Sequence, residues 1–180
     1  MMRALLHALI RKFETARRYD AAYLHEVVDA SLRATWRFLS FERMSQHCEG
    51  VPKEAWFAAR MAATLSEDCG PCTQLIVDEA VRRGVAPRVL SMLLRGQLPE
   101  EHGDAAFGFR YGKAVAGKAA DASLLAEEAK RRYGERGAVS LAFGVATARV
   151  YPALKRGLAH GAVCQALTVG RETIVVERSA

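Results

Sequence analysis

The chain has 180 residues, 51% hydrophobic and 26% charged, with only 5 Pro and 14 Gly. That composition fits one globular, helix-rich domain and excludes a disordered or collagen-like chain; at this length roughly 70% of the unfolded surface can be buried without a metal or disulfide to hold the fold. The net charge of +6 and pI near 9.4 would suit an acidic partner, but the cations come in short groups (Arg17-Arg18, Arg82-Arg83, Lys130-Arg131-Arg132, Lys155-Arg156) with no aromatic-interleaved basic stripe, which argues against nucleic acid as a partner.

The first 48 residues lack both Gly and Pro. The recurrence of Leu24, Val27, Val28, Leu32, Thr35, Trp36 and Leu39 has helical spacing, and predicts two helices over 2–18 and 20–46. We read residues 1–48 as an N-terminal helical arm packed on a core of residues 49–180, within one structural domain. The apolar run Arg3–Ile10 is interrupted by His7 and followed at once by Arg11-Lys12, without the small-residue cleavage site of a signal peptide. Gly50-Val51-Pro52 breaks the chain, and Pro52 suits the first position of a helix reaching Leu65. Ser66 or Asp68 then caps a helix over 69–83, stopped by Gly84. A short helix over 87–95 precedes an exposed loop, Gly96–Gly103, which contains Pro99.

Helices over 104–119, 122–133 and 137–156 complete the bundle, and the recurring Gly and Ala would let helices approach closely. The apolar stretch Ala138–Ala148, closed by Arg149, falls short of the ~20 residues a membrane span needs. The β-branched tail, Leu167–Val176, predicts a short strand or an extended arm. The expected fold is all-α: a single-domain multi-helix bundle with no membrane partner, located in the cytoplasm. Trp36, Phe38 and Phe41 on the long Gly-free segment predict more apolar surface than one copy covers, and hence a homo-oligomer.

Specific chemistry is concentrated at Cys69-Gly70-Pro71-Cys72. A C-x-x-C pair can close a small disulfide ring, and such thiols often carry a lowered pKa. In thioredoxins the motif follows a buried strand, whereas here it follows the Ala-rich Trp56–Leu65, which reads as a buried helix. Pro71 is tolerated because it falls in the first turn. Unpaired N–H groups and the dipole there favour thiolate, while Glu67 and Asp68 oppose it. Either carboxylate could accept a thiol proton or serve as a cap. With Cys48 and Cys164, the four cysteines are too few for a secreted disulfide framework, so reduced thiols are expected, Cys69 and Cys72 being the reactive pair. Zinc would need two further ligands, and no second C-x-x-C or H-x-x-x-H supplies them; neither metal nor cofactor is expected.

The segment Arg60–Val85, with its C-G-P-C at the start of a helix, resembles the core of the carboxymuconolactone decarboxylase superfamily, and within it the alkylhydroperoxidase D-like proteins. The resemblance covers residues 50–150. It implies an all-helical homo-oligomer whose dithiol reduces peroxides or relays electrons to a peroxiredoxin, with Cys72 attacking and Cys69 resolving. Two positions depart from the pattern. The family's peroxidases carry a His four residues after the second Cys, where this chain has Ile76. They also carry a Glu about a dozen residues before the first Cys, which falls near Phe57, with Glu54 about one turn earlier.

The sequence therefore predicts a thiol-based redox protein acting on a small-molecule peroxide or a protein disulfide, with Cys69, Cys72 and Glu67 as its catalytic residues and His25, His102 or Glu54 as substitutes for the missing relay. Two rivals belong to other classes. One is a non-redox decarboxylase-like small-molecule enzyme of the same fold, and the other a helical scaffold with incidental thiols.

Overall fold

The computed structural model describes residues 1–97, 103–161 and 166–176. Among these, eight helices and one small hairpin form the all-α fold that the sequence predicts. Its centre is α4 (Lys53–Leu65), where ten consecutive residues, Ala55 to Thr64, are buried. Two flanking helices close over it, α7 (Gly103–Gly117) and α8 (Ala122–Gly157). The α4–α7 contact is backbone to backbone: a Cβ on Gly108 would lie 2.1 Å from the Ala55 carbonyl oxygen, and one on Gly112 would lie 2.2 Å from that of Ala59. Small residues on both helices are thus a condition of the packing. Trp56 fills the α8 side and donates its indole N–H to the Ser140 carbonyl at 3.2 Å.

One expected helix is corrected and one expected break is found. The predicted 20–46 helix is two helices, α2 (Ala22–Ala30) and α3 (Leu32–Ser45). Ser31 between them is extended, and its hydroxyl accepts from the Ala34 N–H, so a serine that could cap locally outcompeted an unbroken apolar period. The expected break between 122–133 and 137–156 is present inside α8: Gly134 takes φ 68° and ψ 179°, a non-helical conformation open to glycine, and kinks the rod there. One 18-residue window of α8 reaches a mean hydropathy of 1.2, enough by length and composition to cross a membrane; 44% of it is buried in the fold, against α4 and α7.

The first helix, α1 (Met2–Arg17), ends at Arg18 in the left-handed region. Tyr19, Ala21 and Tyr23 beyond it are buried against Leu75, Leu154 and Leu158, so the N-terminal helices lie across α5 (Gly70–Arg82) and the C-terminal part of α8. An ion pair from Arg17 to Glu79, 3.0 Å, fastens them there. After α6 (Pro87–Leu94), residues 98–102 of the predicted loop, Pro99 included, lie outside the described residues. The tail forms an antiparallel hairpin, β1 (Ala166–Val169) and β2 (Glu172–Val175), with Leu167 opposite Ile174. Gln74 of α5 exchanges two 2.8 Å hydrogen bonds with the backbone of Thr168, which braces the thiol helix from behind.

Candidate functional site

The turn from α4 to α5 sets the two cysteines. Ser66 ends α4 and donates its hydroxyl to the Ala62 carbonyl at 3.0 Å. Asp68 has φ 52°, and the cap of α5 is Cys69 itself, with no side chain capping it. The expected Ser66 or Asp68 cap is therefore corrected: the left-handed step at Asp68 precedes a helix that starts from Cys69, and Pro71 in the first turn removes one of the N–H groups that a cap would serve. Cys72 lies within the first turn. Cys69 and Cys72 form a disulfide, with Cα atoms 5.3 Å apart.

The two sulfur-bearing residues are about equally buried, 6% and 5% exposed, yet they line different cavities. Cys72 contributes to a cavity of about 310 Å³ between the N-terminal helices and the core, walled by Tyr19, Tyr23, Phe38, Ile76, Tyr151 and Arg60 among others. Cys69 contributes to a second cavity of about 550 Å³, lined by Glu67, Asp68, Lys155 and Arg156. Lys155 of the second cavity lies 4.9 Å from the Tyr19 ring and 5.6 Å from that of Tyr23, both residues of the first, and burial lowers its pKa.

Glu67 is on the Cys69 side. Arg149 Nε donates to its Oε1 at 2.6 Å, Arg156 pairs with its other oxygen, and Arg156 Nη1 also donates to the Glu67 carbonyl at 2.9 Å. Burial by itself would raise this carboxyl's pKa, but the hydrogen bonds from Arg156 and Arg149 outweigh it and hold the group below its ordinary value. Glu67 is thus an ionised clasp between the α4–α5 turn and α8, with its lone pairs directed at arginines.

The Cys72 side holds residues that the motif search missed. Tyr151 donates to the Glu42 carboxylate, which also accepts from Gln46 at 3.0 Å. Burial first, then the nearby Glu42, holds the Tyr151 hydroxyl above its usual range. Arg60 is 6% exposed, and its guanidinium stacks 4.3 Å from the Trp56 ring. Its Nε has no hydrogen-bond partner among the described residues, and burial lowers its pKa to about 10, which leaves it charged at neutral pH. A signal for Arg60 was present in the sequence, as the single charge in the otherwise apolar run 55–65.

Two of the expected relay substitutes, His25 and Glu54, lie elsewhere. His25 sits 2.6 Å from His7, ring nitrogen to ring nitrogen, and 3.3 Å from Glu14, within the N-terminal helices. Glu54 opens α4 and lines neither cavity. His102 and Cys164 lie outside the described residues. Cys48 is a free, half-buried thiol whose pKa is raised by burial. Among the described residues no group of three or more His, Cys, Asp or Glu could hold a metal ion.

No family model, curated protein or solved structure matches the chain.

Proposed function

We propose that this protein is a thiol–disulfide oxidoreductase that reduces an apolar hydroperoxide at Cys72 and is recharged by a dithiol reductant at Cys69. The observation that carries this reading is the opening of the two bonded residues into two cavities of opposite character, one aromatic and one polar.

In the reduced protein, the α5 N-terminus and the unpaired Arg60 charge both favour thiolate at Cys72. That sulfur attacks the terminal oxygen of the hydroperoxide. An S–O bond forms, the O–O bond breaks, and the alkoxide leaves as an alcohol after taking a proton. Cys69 thiolate then attacks the Cys72 sulfenic acid, hydroxide departs as water with a second proton, and the Cys69–Cys72 disulfide results. A dithiol reductant entering the polar cavity attacks Cys69, expels Cys72 as thiolate, and resolves the mixed disulfide with its own second thiol. The sum is one hydroperoxide and one dithiol converted to alcohol, water and disulfide.

Proton delivery is the weak step. The cavity is lined by three tyrosines, Tyr19, Tyr23 and Tyr151, whose hydroxyls burial makes poorer acids, so turnover is slow relative to a histidine relay. The test is cumene hydroperoxide consumption with dithiothreitol. Cys72→Ser should abolish it, while Cys69→Ser, reduced beforehand and freed of dithiothreitol, should consume one equivalent and leave a sulfenic acid that dimedone traps. Equal behaviour of the two variants would overturn the division of roles, and no consumption by the unaltered protein would overturn the reaction.

Self-assembly belongs to the same reading. Leu5 and Leu9 on α1 and Trp36 and Leu39 on α3 are each more than two-fifths exposed; Phe38 and Phe41 instead pack on Tyr151. Light scattering should report a mass above the 19.7 kDa of one chain. A monomer at micromolar concentration contradicts it.

A further inference from the structure

Arg60 is a charge that the fold buries without an ion-pair contact among the described residues, Glu42 and Glu79 acting on it only at longer range. It sits midway along the most buried helix, no carboxylate lies within ion-pair distance of it among the described residues, and its Nε is unpartnered. The two carboxylates that share its cavity are committed elsewhere: Glu42 accepts from Tyr151 and Gln46, and Glu79 is held by Arg17, Arg82 and Arg83. Most of the remaining wall is aromatic or aliphatic. Burying a guanidinium without a carboxylate is strongly unfavourable unless a bound group completes the pair. An apolar cavity of small-molecule size with a few convergent polar groups is the ordinary form of a ligand site.

We propose that the Cys72 cavity binds a molecule with an apolar body and a carboxylate, the carboxylate pairing with Arg60 and the body lying among Tyr19, Tyr23 and Phe38. This deepens the redox reading and rests on it for the identity of the reaction: the substrate would be a carboxylate-bearing organic hydroperoxide, such as a fatty-acid hydroperoxide, whose anchored head brings the O–O bond to Cys72. Guanidinium suits such a head because its planar fork can meet both carboxylate oxygens. The Trp56 ring beneath it holds the plane in place without competing for its donors. Glu42 and Glu79 face the same space and would repel a dianion, so a single carboxylate is expected.

Binding is separable from chemistry, because the disulfide form has no thiol to react. Calorimetric titration of the oxidised protein with octanoate and with octanol should show octanoate binding about tenfold or more tighter, the margin that one charge-assisted hydrogen bond supplies. In Arg60→Met, checked for folding by circular dichroism, the ratio should fall to about one, while Arg60→Lys should keep part of it. In the reduced protein, octanoate should slow iodoacetamide alkylation of Cys72 at the concentration that half-saturates binding, and leave Cys69 unaffected. Equal affinity for acid and alcohol in the unaltered protein overturns the proposal even where cumene hydroperoxide is consumed; so does octanoate binding that fails to protect Cys72. Conversely, selective octanoate binding and protection without any peroxide consumption would uphold the site and overturn only the redox reading.

Discussion

The Cys72 side and the Cys69 side of the same disulfide treat charge in different ways. Around Cys69, Glu67 is clasped by two arginines and Lys155 rests on two tyrosine rings. The arginine pairs fix the α4–α5 turn to α8, and Lys155 joins α8 to the N-terminal segment. Around Cys72, the carboxylates are tied up and Arg60 is left over. Paired ions hold a fold together and an unpaired buried ion weakens it, so the first side is read as scaffold and mouth, and the second as a place where a ligand completes the electrostatics. The contrast is the structural basis of the proposed division of roles: α5 presents one cysteine at its cap and one inside its first turn, and each lines its own cavity.

Several substitutions would break or sharpen this contrast. The largest effect is expected from the cysteines themselves, with Cys72→Ser removing all hydroperoxide consumption and Cys69→Ser only its recycling, as followed by stopped assays of residual peroxide. Next, Ile76→His restores an imidazole at the position where the resembled peroxidases carry one, against the Cys72 cavity. It should raise turnover by about 10²-fold, the low end of general acid–base assistance; an unchanged rate would mean that proton transfer is not the slow step.

Arg60→Met should leave stability unchanged or raise it by about 1–4 kcal/mol, since an apolar side chain replaces an unpaired buried charge. Thermal unfolding checks this, and a large loss of stability would show that Arg60 is scaffold after all. Glu67→Gln should have the smallest effect. It gives up a pair whose arginines are 35% and 51% exposed, and should cost about 1 kcal/mol, less at high salt. Because the folded carboxyl's pKa lies below its unfolded value, its stabilisation is complete above the unfolded value of about 4.3 and is lost as pH falls towards the folded one. Glu67→Gln should therefore differ from the unaltered protein at pH 7 and converge with it in acid, as read from Tm against pH.

The helical class, the central apolar helix and the thiol pair were legible in sequence because each rests on local spacing. The Ala-rich apolar run marks α4, Pro71 and Gly84 bound the thiol helix, and C-x-x-C brings two sulfurs within one turn. The split at Ser31 was hidden, since an apolar period continues across it and only a side-chain cap interrupts the backbone. The partners of Glu67 were hidden for a different reason: Arg149 and Arg156 are more than 80 residues away, and their convergence depends on where α8 runs past the α4–α5 turn.

Local order along the chain thus determined which elements form and where two thiols can meet. The tertiary structure alone decided what faces each sulfur. A cavity is made by elements distant in sequence, here α1 to α3 laid across α4, α5 and α8, and whether a buried charge finds a partner depends on distances that no spacing along the chain encodes.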